Sequence, residues 1–172
     1  MSFRMLGVDP GFGRTGLGIV EIEGDEARHT WHSVIDTDAG LPFSERLLAV
    51  RNDLQEAIRR FRPDAAAVES LFFQTNAKTA MKVGMARGVI LLALADAGIP
   101  IVDLTPNQVK QGIAGWGGAD KRQVQAMVTR LLVLPEPPKP DDAADALALA
   151  IVGGSVYRQE QVQAAGEAKK LP

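Results

Sequence analysis

The run from Phe3 to Val8 is mostly apolar and stops abruptly at Asp9-Pro10-Gly11-Phe12-Gly13. Proline sets φ and glycine permits the reversal, so the run reads as a buried strand ending in a turn. Thr15 to Ile22 alternates small, apolar and β-branched residues, the pattern of a second strand. Glu23-Gly24-Asp25-Glu26 then turns into a third strand over Ala27 to Ile35. A chain that opens with three antiparallel strands has to cover that sheet with its remaining residues.

The next segment has helical spacing. Leu47, Leu48, Val50, Leu54, Ile58 and Phe61 form an apolar stripe beginning near Ser44 and ending at Arg62-Pro63. Ala65 to Glu69 is a short strand. Asn76 to Gly98 is a long helix, stopped by Gly98 and Pro100 and apolar nearly all round from Val89 to Ala95. Ile101 to Leu104 is a further strand, and Thr105-Pro106 caps a helix over 106–113. Asp120 caps another helix, reaching Leu132. Pro135 to Pro140 holds four prolines in six residues, a stiff linker to a last helix from Asp141 to about Val152. Hairpin strands followed by strand–helix units define an α/β fold with a mixed sheet and helices on its faces. One domain over residues 1–157 is expected, with 158–172 a polar, small-residue tail without fixed structure.

Composition narrows the chemistry. Cysteine is absent from the 172 residues, which excludes disulfides, thiolate metal ligands and a cysteine nucleophile, and fits a reducing cytoplasm. No apolar run approaches the ~18 residues of a membrane span, and the N-terminus does not read as a signal peptide. The net charge of -2 argues at first sight against a nucleic-acid partner, but the charge is unevenly placed. Residues 76–130 carry 7 basic and 3 acidic side chains, whereas 1–75 carry 8 and 12. A phosphate backbone responds to such a local surplus.

Gly11-Phe12-Gly13-Arg14-Thr15-Gly16 is a literal G-x-G-x-x-G, with Asp36 20 residues beyond Gly16. A dinucleotide site needs the third glycine to open a helix, and Leu17 to Ile22 is strand. The phosphate loop of actin-like ATPases also lies between hairpin strands, but those proteins need two such domains, more than 172 residues supply.

Four carboxylates stand out by position. Asp9 ends the first strand, and Glu69 ends the fourth after Ala65-Ala66-Ala67-Val68. Asp142 and Asp145, three apart in the last helix's first turn, share a face. Each alone is equally consistent with a loop residue or a favourable helix N-terminal charge. Together, on parallel neighbouring strands and a helix delivered beside them, they would repel one another unless a cation joined them. Such a set suits Mg²⁺, two of which straddle phosphodiester hydrolysis. His29 and His32 read as surface residues of the third strand, and no serine has a nucleophile context.

With these residues the chain resembles the RuvC family of Holliday junction resolvases, over roughly residues 4–153. The matching segments are Leu6-Gly-Val-Asp-Pro-Gly, Val68-Glu69-Ser-Leu-Phe72-Phe73, Lys82-Val-Gly84, Ala86-Arg87-Gly88, Gln108-Val-Lys110-Gln, Lys121 and Asp142-Ala-Ala-Asp145-Ala-Leu-Ala-Leu-Ala. The resemblance implies a ribonuclease H-like fold, a mixed five-stranded sheet with helices on both faces. It also implies a homodimer that nicks four-way junction DNA symmetrically and works with a branch-migration helicase complex of the RuvA and RuvB type.

Carried over by position, Asp9, Glu69, Asp142 and Asp145 match metal-binding acids for two Mg²⁺ ions, with Mn²⁺ a possible substitute. Lys110 and Lys121 match basic residues near the scissile phosphate. Phe72 matches an aromatic that inserts at the crossover, and Phe73 is equally placed for that part. Asn76, Lys78, Lys82, Arg87 and Arg122 complete the expected DNA contacts. The apolar excess of the 76–98 helix fits either a dimer interface or burial within one subunit. A non-catalytic junction-binding module, a small ATPase and a generic ribonuclease H-like nuclease are the competing functions.

Overall fold

The computed structural model describes residues 2–70 and 77–168, excepting the side chains of residues 77, 78, 167 and 168. Strands β1 (Ser2–Asp9), β2 (Arg14–Glu23) and β3 (Glu26–Asp36) form the opening antiparallel meander. After α1 (Phe43–Phe61), strand β4 (Ala65–Glu69) joins the free side of β1 in parallel. After α2 (Ala77–Asp96), β5 (Ile101–Leu104) adds in parallel outside β4. The sheet order is β3-β2-β1-β4-β5, the mixed five-stranded arrangement expected. Three helices complete the chain: α3 (Pro106–Ala114), α4 (Lys121–Leu131) and α5 (Asp141–Ala168).

The strand sequences explain the layering. In β4 the residues Ala65 to Val68 are all fully buried, as a central strand covered on both faces requires. Met5, Val20, Ala65, Ala67 and Leu104 face α3, α4 and α5, while Leu6, Val8, Ile19, Ala66 and Val68 face α1 and α2. On α1 the buried stripe is Val50, Leu54 and Ala57, and the helix ends at Arg62 in the left-handed region, φ 47°, before Pro63. Thr105 with Gln108 and Asp120 with Gln123 form reciprocal capping boxes that start α3 and α4.

The last helix departs from expectation. It continues to Ala168, so 158–168 is helical rather than an irregular tail. At the start of this stretch the helix is anchored to distant chain. Tyr157 meets Phe3 edge-on at 5.5 Å between ring centroids, and Arg158 binds the Gly24 carbonyl and the Asp25 carboxylate. Among the described residues no helix is long and apolar enough to cross a membrane.

Candidate active site

Side chains alternate across a strand, so the pairing of Val8 with Val68 decides where the next residues point. Both valines face α1 and α2. Asp9 and Glu69, one step further, therefore turn to the α5 side at the same end of two adjacent strands. The acids of α5 are brought to them by missing side chains. A β-carbon on Gly7 would lie 1.8 Å from the Ala146 carbonyl oxygen, and one on Gly16 2.0 Å from that of Asp142. Gly18 similarly makes room for Leu147. The first turns of α5 thus lie directly on β1 and β2, with Asp142 and Asp145 over the strand ends. Gly16 and Gly18 serve helix packing, which is the structural meaning of the glycines around the false dinucleotide motif.

A cleft of about 270 Å³ beside α5 is lined by Glu69, Lys110, Lys121, Asp145, Val109 and Val124, among others. The electrostatics there are those of crowded anions. Burial, then the charges of Glu69, Asp145 and Asp142, push the Asp9 carboxyl up to about 8, with Lys121 giving partial relief. Glu69 is also raised, by burial and by Asp145, against the lowering effect of Lys121 and Lys110. Asp145 is raised chiefly by burial, although Lys121 opposes it.

Lys121, in the first turn of α4, places Nζ 2.6 Å from Asp141 and 3.0 Å from Asp145. Burial works against its charge, but these bonds outweigh it and hold the ammonium above its ordinary range. Asp142 meets Arg14 at 3.5 Å, and Arg14 also pairs with Asp36 at 3.2 Å. Sequence reasoning missed Arg14 and Asp141, because both counterions depend on chain brought from elsewhere.

The turn after Asp9 is braced from beneath. Arg46, 8% exposed, donates to the Phe12 carbonyl at 2.8 Å and to the Thr37 hydroxyl at 3.0 Å. Thr37 in turn reaches the Phe12 and Gly13 carbonyls at 3.2 and 3.1 Å. A buried guanidinium on a charged helix face gives no signal in local spacing, and it too was missed.

Of the expected DNA contacts, Lys110 lines the cleft and Arg122 is exposed on α4, next in sequence to Lys121. Lys82 is exposed on α2, its ammonium 5.2 Å from the centre of the Phe12 ring. Arg87 donates its Nε to the Glu69 carbonyl at 3.0 Å and pairs its guanidinium with Asp103. With its side chain 18% exposed, it braces the end of β4. Phe72, Phe73, Asn76 and the side chain of Lys78 lie outside the described residues. His29 and His32 sit on edge strand β3, ring nitrogens 2.8 Å apart, two strands from β1.

An oxygen-preferring divalent cation fits this donor set, because all four candidate ligands are carboxylates and burial leaves three of them, Asp9, Glu69 and Asp145, short of positive charge. Among the described residues no three of them already stand as a finished cage. Instead the Lys121 ammonium lies against Asp145, one of the crowded acids.

Acids at the ends of the two central parallel strands, completed by acids of the final helix, define a nuclease of the ribonuclease H-like class. Comparison with known proteins agrees. The family model described as crossover junction endodeoxyribonuclease RuvC matches residues 5–153. The RuvC of Ruminiclostridium cellulolyticum is 51% identical over 154 residues, covering 90% of this chain and 93% of that one. The RuvC of Chloroflexus aggregans is 55% identical over 148 residues, covering 86% and 90%. Thermus thermophilus RuvC in complex with a Holliday junction substrate superposes with a TM-score of 0.87 at 39% identity, covering 92% of this chain and 96% of that one. The chain belongs to the RuvC family.

Proposed function

We propose that this protein resolves Holliday junctions, nicking two strands of like polarity in four-way DNA to leave 5′-phosphate and 3′-hydroxyl ends. The observation that carries the reading is the convergence of Asp9, Glu69 and Asp145 beside Lys121 and Lys110 at one end of the sheet. Asp9, Glu69, Asp142 and Asp145 are the residues to hold two Mg²⁺ ions, or Mn²⁺ in their place, which when bound supply activation of water and stabilisation of the leaving oxygen. Lys121 and Lys110 set positive charge beside the scissile phosphate, where negative charge grows in the transition state. Lys82 and Arg122 extend a basic track for the phosphodiester backbone, with Phe72 or Phe73 as the aromatic at the crossover.

A homodimer supplies the second cut. Met81, Met85 and Leu92 of α2 stay 61%, 49% and 58% exposed. Their spacing of four and seven puts them along one stripe, an apolar face suited to a two-fold partner. Cooperation with a RuvA- and RuvB-type helicase complex, and a cytoplasmic location, are inferred from family membership.

The test is incubation with an end-labelled mobile four-way junction, linear duplex and RNA–DNA hybrid, each with Mg²⁺ or EDTA. Paired symmetric nicks on the junction alone, lost in EDTA, are expected. Equal cutting of all three substrates would contradict the substrate assignment, and binding without nicks would reduce the protein to a junction-binding module.

A further inference from the structure

Trp116 is 55% exposed, in contrast to Trp31, which stacks on Phe61 with ring centroids 4.6 Å apart. It sits in the segment Gly115–Asp120 that joins α3 to α4, so the loop is bounded by the helix carrying Lys110 and the residue before Lys121. Both lysines line the catalytic cleft. The loop is built rather than slack. Gly115 ends α3 at φ 81° with its N–H on the Gln111 carbonyl, and the Asp120–Gln123 capping box fixes the start of α4.

Within that frame the indole has a defined seat. Its six-membered ring lies across Gly118, where a β-carbon would fall 2.3 Å from the ring. Gly118 does not adopt the left-handed backbone that would itself call for glycine, so the room it leaves is what seats the indole. Gly117 and Gly118 put no side chains beside the ring. A large aromatic surface held toward water, on the loop that joins two helices carrying cleft lysines, is an arrangement that can receive a nucleotide, cations on the phosphates and the ring on an apolar face.

We infer that Trp116 is a DNA-contacting residue, packing its indole against a base or deoxyribose of the strand that runs past Lys110 and Lys121. The inference rests on the proposed junction-resolving function and adds a contact to it. It commits to nucleic acid rather than a protein partner because the charged groups that the loop joins to the site are lysines already facing the cleft.

The experiment is equilibrium binding of a fluorescent four-way junction to the full chain in EDTA. Base–aromatic stacking is worth about 1–3 kcal/mol by alanine substitution, and the lower half of that range is about tenfold in affinity. Trp116→Ala is expected to raise the Kd about tenfold, and Trp116→Phe to restore most of the loss. Gly118→Ala, which displaces the ring without touching its chemistry, is expected to weaken binding as well. Unchanged thermal melting of each variant assigns the loss to the contact and not to folding. A Trp116→Ala Kd within twofold of wild type overturns the inference, whereas failure of the wild-type protein to bind the junction overturns the functional reading beneath it.

Discussion

The carbonyl oxygen of Asp142 stands 2.0 Å from where a β-carbon on Gly16 would be. One of the four acids is therefore held in place by the absence of an atom on a neighbouring strand. Because the obstruction is backbone, no side-chain rotation relieves it. Gly16→Ala is expected to lower stability by about 1–3 kcal/mol and junction cleavage by at least about tenfold, since small displacements at a reacting centre are costly. Urea unfolding and single-turnover cleavage measure the two losses. Gly166→Ala, an exposed helical position with open space around it, is the control, expected to lower neither stability nor cleavage.

Lys121 joins α4 to α5 through Asp141 and Asp145 and lines the cleft together with Lys110. Lys121→Ala is expected to cut the single-turnover rate by about 10²-fold or more, the scale of losing one preorganised electrostatic donor. Lys121→Arg, which keeps the charge with a different shape, is expected to recover part of it. A rate within threefold of wild type for Lys121→Ala would remove the lysine from the reaction.

Asp9 rises from an ordinary 3.8 to about 8 in the folded chain. Between those values the native state keeps a proton that the unfolded chain has lost, so the metal-free protein loses stability as pH rises from about 4 to 8. Glu69 and Asp145 shift in the same direction. Thermal melts in EDTA across this window are expected to fall with pH, and Mg²⁺ is expected to flatten the slope. Asp9→Asn removes its share of the repulsion and raises the melting temperature at pH 8 in EDTA. A stability that climbs from pH 5 to 8 without metal would contradict the crowding of these acids.

Met85→Glu or Leu92→Glu introduces a charge into the exposed apolar stripe of α2. Either is expected to convert a dimer to a monomer in sedimentation at micromolar concentration, with paired nicking lost. Wild-type protein sedimenting as a stable monomer there would leave that stripe without its partner.

Much of this was legible in the sequence. The apolar runs before Asp9 and Glu69 marked two strands ending in acids, and their parallel pairing put both at one end of the sheet. The capping residues Thr105 and Asp120 marked the starts of α3 and α4. What escaped depends on contacts between distant segments. The polar composition of 158–168 suggested a loose tail, yet Tyr157 and Arg158 anchor that helix to Phe3 and to the β2–β3 turn. The contacts of Arg87 with the Glu69 carbonyl and Asp103 were likewise not legible, since they join α2 to β4 and β5. Arg46 and Arg14 gave no pattern at all, since their partners are Thr37, Phe12 and Asp142, none within the same element. Local periodicity reports which face is apolar; it does not report which charge a distant strand will place opposite.

The most direct measurement is the Asp9→Asn variant, with Glu69→Gln beside it, on a labelled four-way junction in Mg²⁺. Both are expected to bind the junction with near wild-type affinity and to leave it uncut, because each removes a cation-holding carboxylate and leaves the basic surface intact. Normal paired nicking by either variant would contradict the assignment of this acid cluster as the catalytic centre.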